Sequence, residues 1–170
     1  MHRDDVSDEL ERQHPAAWGW ALACCDRDRH EAEDVLQTAY LRVLDGTARF
    51  DGRAAFRTFL FGVVHRTALE RRRRFIVRRL LLDRWGDAVP RPVPLDPEHE
   101  HLQADQAERL AGALGELPGR QREVLHLVFY QGCTLAEAAE VMGARLGTVR
   151  THYERGKTAL RKRLIPEGLA

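Results

Sequence analysis

The stretch from Thr134 to Arg163, TLAEAAEVMGARLGTVRTHYERGKTALRKR, constrains this chain more than any other, because its local signals follow one another without a gap. Thr134-Leu-Ala-Glu137 pairs a hydroxyl with a carboxylate three residues on, so each side chain can satisfy a free amide at a helix start. Leu135, Ala138, Ala139 and Met142 then recur at helical spacing until Gly143, which can take the left-handed conformation that ends a helix. After the short turn GARL, Gly147-Thr148 opens a second helix. At about 100° per residue its Val149, Tyr153, Gly156, Leu160 and Leu164 share one narrow face, expected to pack inward. The opposite side carries Thr151, Arg155, Thr158 and Lys162, flanked by Arg150 and Arg161. These donors suit phosphates and purine edges.

Between Arg145 and Arg163 lie seven basic residues and one acid, Glu154. A charge run alone is most often a solvated helix face. Here it follows a capped, alanine-rich helix and a glycine corner, the arrangement of a DNA-binding helix-turn-helix. The second helix is therefore expected in the major groove. Arg150, Thr151, Glu154 and Arg155 in its first half would lie nearest the bases, with Lys157 and Arg161 on phosphates. Glu154 is costly beside phosphate, yet it can accept from the amino group of cytosine.

The run Leu117-Pro118-Gly-Arg-Gln-Arg-Glu-Val-Leu125, then Gln131-Gly132, the Thr134 helix and Leu146-Gly147-Thr148-Val149-Arg150 resembles the fourth conserved region of bacterial RNA polymerase sigma factors, in particular the small extracytoplasmic-function group. The resemblance implies a minus-35 reader, here Arg150, Thr151, His152, Glu154, Arg155, Lys157 and Arg161. The family often has arginine where this chain has His152 and Lys157.

Upstream, Ala17, Trp18, Ala21, Leu22 and Cys25 form a helical apolar stripe starting from Pro15, with the tryptophans read as core; residues 1–13 read as a polar lead-in. DRDRHEAEDVLQTAYLRVLDG follows, an acidic corner and a helix with Ala32, Val35, Leu36, Ala39, Tyr40 and Val43 at i, i+3, i+4 spacing. Its N-terminal acids suit the helix dipole. Acids beside Leu36, Gln37 and Leu41 make a mixed patch suited to a basic protein surface and repelled by DNA. Glu33 to Leu41 is similar to the second conserved region of the same family, which docks on the clamp of the polymerase largest subunit. That implies polymerase contacts for Asp34, Leu36, Gln37, Tyr40 and Leu41, and a contact of the C-terminal domain with the flap region.

Charge is segregated, so the net charge of +1 says little. From Asp26 to Asp34 there are five acids against two arginines, whereas Arg57 to Arg79 holds eight arginines and one acid, Glu70. Two different partners are implied. Phe50, Phe56, Phe59 and Phe61 interleave with Arg53 and Arg57, as in proteins that stack on splayed single-stranded bases. Phe56, Phe59 and Leu60 also share a helical face, so some of these rings must build the core. By the resemblance this segment and the helix after it, with His65, Arg66 and Arg71, Arg72, Arg73 and Arg74, hold the melted minus-10 strand. Where the family often has Arg-Asn this chain has His65-Arg66, and Phe59 replaces a tryptophan landmark.

Between Asp83 and His101 four prolines preclude a helix. The segment reads as an extended linker, which the family threads through polymerase channels. The expected organisation is a polymerase-docking and minus-10 domain over 12–82, the linker over 83–101 and a helix-turn-helix domain over 102–166. In the last, Ala107, Leu110, Ala111 and Leu114 form one helix and Gln121 to Tyr130 a second, with Val124, Leu125, Leu127 and Val128 inside. No strand-period run appears, so both domains should be all-α.

No apolar run approaches the 18 or so residues of a membrane span. The start MHRDDVSDELERQ lacks the basic-then-apolar pattern of a secretory signal, which points to the cytoplasm. Cys24, Cys25 and Cys133 offer neither a paired-ligand spacing nor an even disulfide framework. His30 and the His99-Glu-His101 triplet do not supply the missing ligands, so no metal and no cofactor are expected. A nucleophile elbow and a phosphate-cradling glycine loop are lacking, which argues against an enzyme. The reading is a transcription initiation factor that binds core RNA polymerase and promoter DNA, with an anti-sigma factor as an admissible further partner. Its rival is a one-component helix-turn-helix regulator, which has no reason to carry an acidic-aliphatic helix followed by an aromatic-arginine segment.

Overall fold

The computed structural model describes residues 3–83, 109–110 and 112–164. The expected linker lies outside them but for Asp83, as do residues 102–108. The described residues are helical and contain no strand. The chain divides into two units between Pro94 and Leu95.

The first unit packs three helices pairwise: α1 (Arg3–Cys24), α2 (Arg29–Leu44) and α3 (Phe56–Asp83). α1 begins at Arg3 and runs through Pro15, so the described part of the polar lead-in is helix. Leu10 explains the difference, because it is buried and falls on the same face as Ala17, Ala21 and Cys24. The inward face is also rotated from the expected one. Trp20 is fully buried, whereas Trp18 and Leu22 are only half-buried. The Trp20 indole N–H donates to the backbone carbonyl of Phe61 at 3.0 Å, which satisfies the one polar atom such a ring takes into a core.

The corner between α1 and α2 places Asp26 and Arg27 in the left-handed region, at φ 53° and 66°. For non-glycine residues that costs on the order of 1 kcal/mol each. Two contacts hold it. Asp28 caps α2 by accepting from the Glu31 amide at 3.0 Å, and Arg72 of α3 reaches back to the Cys24 carbonyl and the Asp26 carboxylate. Burial, then the Glu31 carboxylate, pushes the neighbouring Cys25 thiol up to about 12, so it stays protonated.

The second unit contains α4 (Gly119–Leu125), α5 (Leu135–Met142) and α6 (Leu146–Leu164), preceded by helical residues 109–110 and 112–115. In that preceding segment Ala113 and Leu117 are buried, whereas Leu110 and Leu114 are half-buried and Ala111 lies outside the described residues. α4 starts at Gly119 and passes into a π-helical turn, His126–Tyr130, where the periodicity predicts ordinary helix. The wider turn lets Leu127 point inward and leaves Phe129 and Tyr130 adjacent on the surface, both 60% exposed; Val128 is only half-buried.

The expected capping box at Thr134 is present, with the Thr134 amide donating to Glu137 at 2.7 Å and the Glu137 amide donating to Thr134 Oγ1 at 3.2 Å. Gly143 ends α5 at φ 59°. α4 and α6 approach closely at Gly156. A methyl group there would sit 3.1 Å from Leu125 Cδ1 and 3.3 Å from Gln121 Cβ, so a larger residue would have to push these side chains aside by a few tenths of an ångström. Val149 is buried as expected, but Leu164 is 41% exposed.

Candidate nucleic-acid interface

In the first unit, acids and arginines that the sequence reading sent to separate partners meet each other. Arg71 of α3 donates from Nε to Glu31 at 2.8 Å and from Nη2 to Asp34 at 2.8 Å. Arg72 donates to Asp26 at 3.0 Å. Both arginines therefore brace α3 against α2 and the corner before it, while their side chains stay 34% and 42% exposed. Arg71 and Arg72 could not be placed from sequence because the acids they meet lie some 40 residues away in the chain.

Leu36 is also corrected. It is 3% exposed, in the core with Ala32, Val35, Ala39 and Val43, so no partner can touch it. Tyr40 is half-buried, its hydroxyl 3.0 Å from His14 Nδ1, and burial pushes its phenol up to about 12. Beyond Arg29 and His30 in its first turn, α2 presents to solvent Glu33, Asp34, Gln37 and Leu41, the last 64% exposed. These residues fall within about 100° of one another on the helix, so acids, an amide and an aliphatic side chain form one continuous strip.

The aromatic segment divides in the same way. Phe61 is fully buried, and His65 is 1% exposed, with its ring stacked on Trp20 at 6.0 Å. Phe56 is 9% exposed. None of the three can stack on a base: the helical period turns them toward α1 and α2 together with Leu60, Val64 and Ala68. Phe50 and Phe59 remain half-exposed, each 5.3 to 5.8 Å from a neighbouring phenylalanine centroid in a cluster with Phe56. Arg57 lies with its guanidinium 5.1 Å from the Phe61 centroid, half-buried. Arg53 is exposed and paired with Asp51, and Arg66, Arg73 and Arg74 are exposed.

Phe59 and Arg66 border a surface cavity whose other walls include Arg42, Thr47, Arg49 and Glu70. Those four were missed in the sequence. Arg42 donates to Glu70 at 2.6 Å and to Thr67 Oγ1 at 3.1 Å, which joins the C-terminal end of α2 to the middle of α3. The hydrogen bond from Arg42, with the charges of Arg42, Arg74 and Arg66, holds the Glu70 carboxyl below the usual range. Arg66 folds along α3 over Gly62, its Nη1 3.3 Å from where a Cβ at residue 62 would sit. Arginines about 20 residues apart in the sequence carry no sign that they will share a cavity with an aromatic ring.

On α6, Arg150, Thr151, Glu154, Arg155, Thr158, Arg161 and Lys162 are all exposed, so the expected outer face is the real one. Glu154, Arg155, Thr158, Ala159 and Lys162 border a shallow open groove. Thr151 and Thr158 donate their hydroxyls to Gly147 and Glu154 carbonyls, each at 2.9 Å, leaving their oxygens as acceptors on the surface. His152 is half-buried. Lys157, expected as a phosphate anchor, has neighbours of its own on the protein. It is half-buried on the flank of the helix, 3.1 Å from Glu154 Oε2 and 4.5 Å from the Tyr153 ring centroid.

Among the described residues no three His, Cys, Asp or Glu side chains are placed to hold a metal, and no helix is long and apolar enough to cross a membrane. An acidic strip, an arginine-rich cavity with half-exposed aromatics and a basic helix-turn-helix, carried on two all-α units, define a multi-region DNA-binding protein of transcription. Residues 10–79 match the model of Sigma-70 region 2, and residues 107–160 match that of Sigma-70 region 4. The chain is 30% identical to the ECF RNA polymerase sigma factor SigX of Bacillus subtilis, over 81% of this chain and 73% of the relative. It is 32% identical to the ECF sigma factor SigK of Mycolicibacterium vanbaalenii, over 80% and 70%. Its fold is similar to that of the sigma factor RpoE solved with the anti-sigma factor NepR from Bartonella quintana, with a TM-score of 0.76, 21% identity and coverage of 96% of this chain and 99% of that one. The chain belongs to the extracytoplasmic-function sigma factors of bacterial RNA polymerase. A region 2 match over the first unit is what a stand-alone helix-turn-helix regulator would lack.

Proposed function

We propose that the chain binds core RNA polymerase through the outer strip of α2, Asp34, Gln37 and Leu41 with Glu33 beside them, and directs it to promoters. The half-exposed Phe50 and Phe59, with Arg53, Arg57, Arg66, Arg73 and Arg74, hold the melted minus-10 strand, and a splayed base enters the cavity beside Phe59 and Arg66. α6 reads the duplex minus-35 element with Arg150, Thr151, Glu154 and Arg155 while Arg161 contacts phosphate. The 12–82 and 102–166 segments act as separate modules, as the division of the chain between Pro94 and Leu95 supports. The observation that carries this reading is the separation of surface chemistry: a carboxylate strip that DNA would repel, and two arginine-bearing surfaces that it would attract.

The protein acts as a non-catalytic, cytoplasmic subunit of the holoenzyme, its C-terminal unit meeting the polymerase flap. An anti-sigma factor is a further partner by analogy with the fold relative solved with NepR. The test is run-off transcription by purified core polymerase with this chain on genomic fragments. Transcripts from defined start sites, lost on Asp34→Arg or Leu41→Glu together with pull-down of core, are the expected result. Fragment binding without any transcript from core would leave only a regulator.

A further inference from the structure

The acid on the recognition helix has a support that reaches back to α4. Phe129, set on the surface by the π-helical turn, stacks on Tyr153 of α6 at 6.0 Å and 28°. The Tyr153 ring in turn carries Lys157 Nζ over its face, 4.5 Å from the centroid. Lys157 Nζ lies 3.1 Å from Glu154 Oε2. Four side chains therefore run from the flank of α6 to its DNA-facing side, where Glu154 is exposed beside Arg155.

We infer that Lys157 is a positioning residue for base readout: held by Tyr153 and Phe129, it fixes and neutralises Glu154 so that the free Oε1 accepts from the N4 amino group of a cytosine in the minus-35 duplex. The inference rests on the minus-35 reading of α6 and changes the part Lys157 plays in it. An unpaired carboxylate facing a groove lined by phosphate is repelled, and a mobile one selects nothing. An ammonium on Oε2 offsets the charge and narrows the rotamers of Glu154, leaving one acceptor oxygen directed outward. A cation over an aromatic face resists transfer to a phosphate, because it would exchange two contacts for one. Cytosine is the base whose major-groove edge presents only an amino donor, whereas thymine offers a carbonyl at the same place.

The experiment uses the full chain in holoenzyme, bound to a pool of duplexes randomised across the minus-35 region and sequenced after selection. Glu154→Gln should remove a preference for cytosine of about 5- to 100-fold at one base pair. Lys157→Met should reduce the preference at that same pair several-fold and leave the other pairs unchanged. Lys157→Arg should keep it, and Lys157→Met in the Glu154→Gln background should add nothing. Phe129→Leu, made away from the DNA-facing side, should reduce the same preference by about twofold. If Lys157→Met weakens all sequences alike and spares the cytosine preference, Lys157 is a phosphate anchor and the inference is overturned while Glu154 stands as reader. If Glu154→Gln changes no pair although Arg155→Ala does, the reader assignment of Glu154 fails and the inference with it. If neither substitution changes any pair, it is the minus-35 reading of α6 that fails.

Discussion

Arg71 and Arg72 of α3 close ion pairs with Glu31, Asp34 and Asp26 of the neighbouring helices and their corner, whereas Arg150, Arg155 and Arg161 of α6 have no ion-pair partner among the described residues. Both helices look alike as strings of basic residues. One is packed beside the acidic helix α2 and its arginines become braces. The other crosses α4, which meets it at Gly156 with Gln121 and Leu125; of its arginines only Arg163 at its end finds an acid among the described residues, Glu116 at 2.9 Å, and Arg150, Arg155 and Arg161 stay exposed. A basic run thus keeps exposed, unpaired arginines mainly where the fold sets few acids beside it. Within α3 the division falls between Arg71 and Arg72, which are paired, and Arg66, Arg73 and Arg74, which face solvent.

The largest expected effect tests the frame that sets this division. Trp20→Ala removes the ring on which Phe61 and His65 rest and should cost about 3–5 kcal/mol in denaturant unfolding of the first unit. A loss under about 1 kcal/mol would mean α3 is held by its arginines and not by its core. On the second unit, Arg155→Ala should cost about 1–3 kcal/mol on one preferred base, read by competition between minus-35 variants. Arg161→Ala should weaken all sequences alike and lower the salt slope by about one. Equal behaviour of the two on every sequence would erase the difference between reader and anchor.

Arg71→Ala is the sharper test of the first unit. As a brace it should cost about 1 kcal/mol of stability, because its two carboxylate partners are themselves partly solvated. Open-complex lifetime should then fall less than for Arg66→Ala. The reverse order would return Arg71 to the DNA surface. The smallest effect is electrostatic and pH-dependent. Since Arg42 holds the folded Glu70 carboxyl below its unfolded value, the pair's contribution is complete above about pH 4.5 and is lost as pH falls through the lowered folded value. With Glu70 half-exposed, it should amount to about 0.5 kcal/mol. Thermal melts of wild type and Glu70→Gln should differ by this amount at pH 6 and converge below pH 4. A constant gap would place the contribution elsewhere.

Local signals carried much of this protein in the sequence itself. The capping box at Thr134, the left-handed Gly143, the inward Val149 and the outward Arg155 follow from rules that act within a few residues, and the structure repeats them. The core positions of α2 other than Tyr40 were legible for the same reason: a 3.6-residue period names a buried face without naming what covers it. Leu36 shows the limit, since the period placed it in the stripe while its patterning with acids suggested a contact. Burial decided for the stripe.

Tertiary structure decided what depends on a second element. That Trp20 and not Trp18 enters the core rests on the Phe61 carbonyl of α3. That His65 is stacked and inaccessible, that Arg71 is a brace, and that Arg42 and Glu70 wall a cavity each require knowing which helix lies alongside. The π-helical turn at His126–Tyr130 has no signature in local propensity, yet it sets Phe129 against Tyr153. The physical reason is one of range. Capping and helical periodicity are settled by interactions within a turn or two of the chain, whereas ion pairing, ring stacking and solvent access are settled by neighbours brought together only when the helices pack.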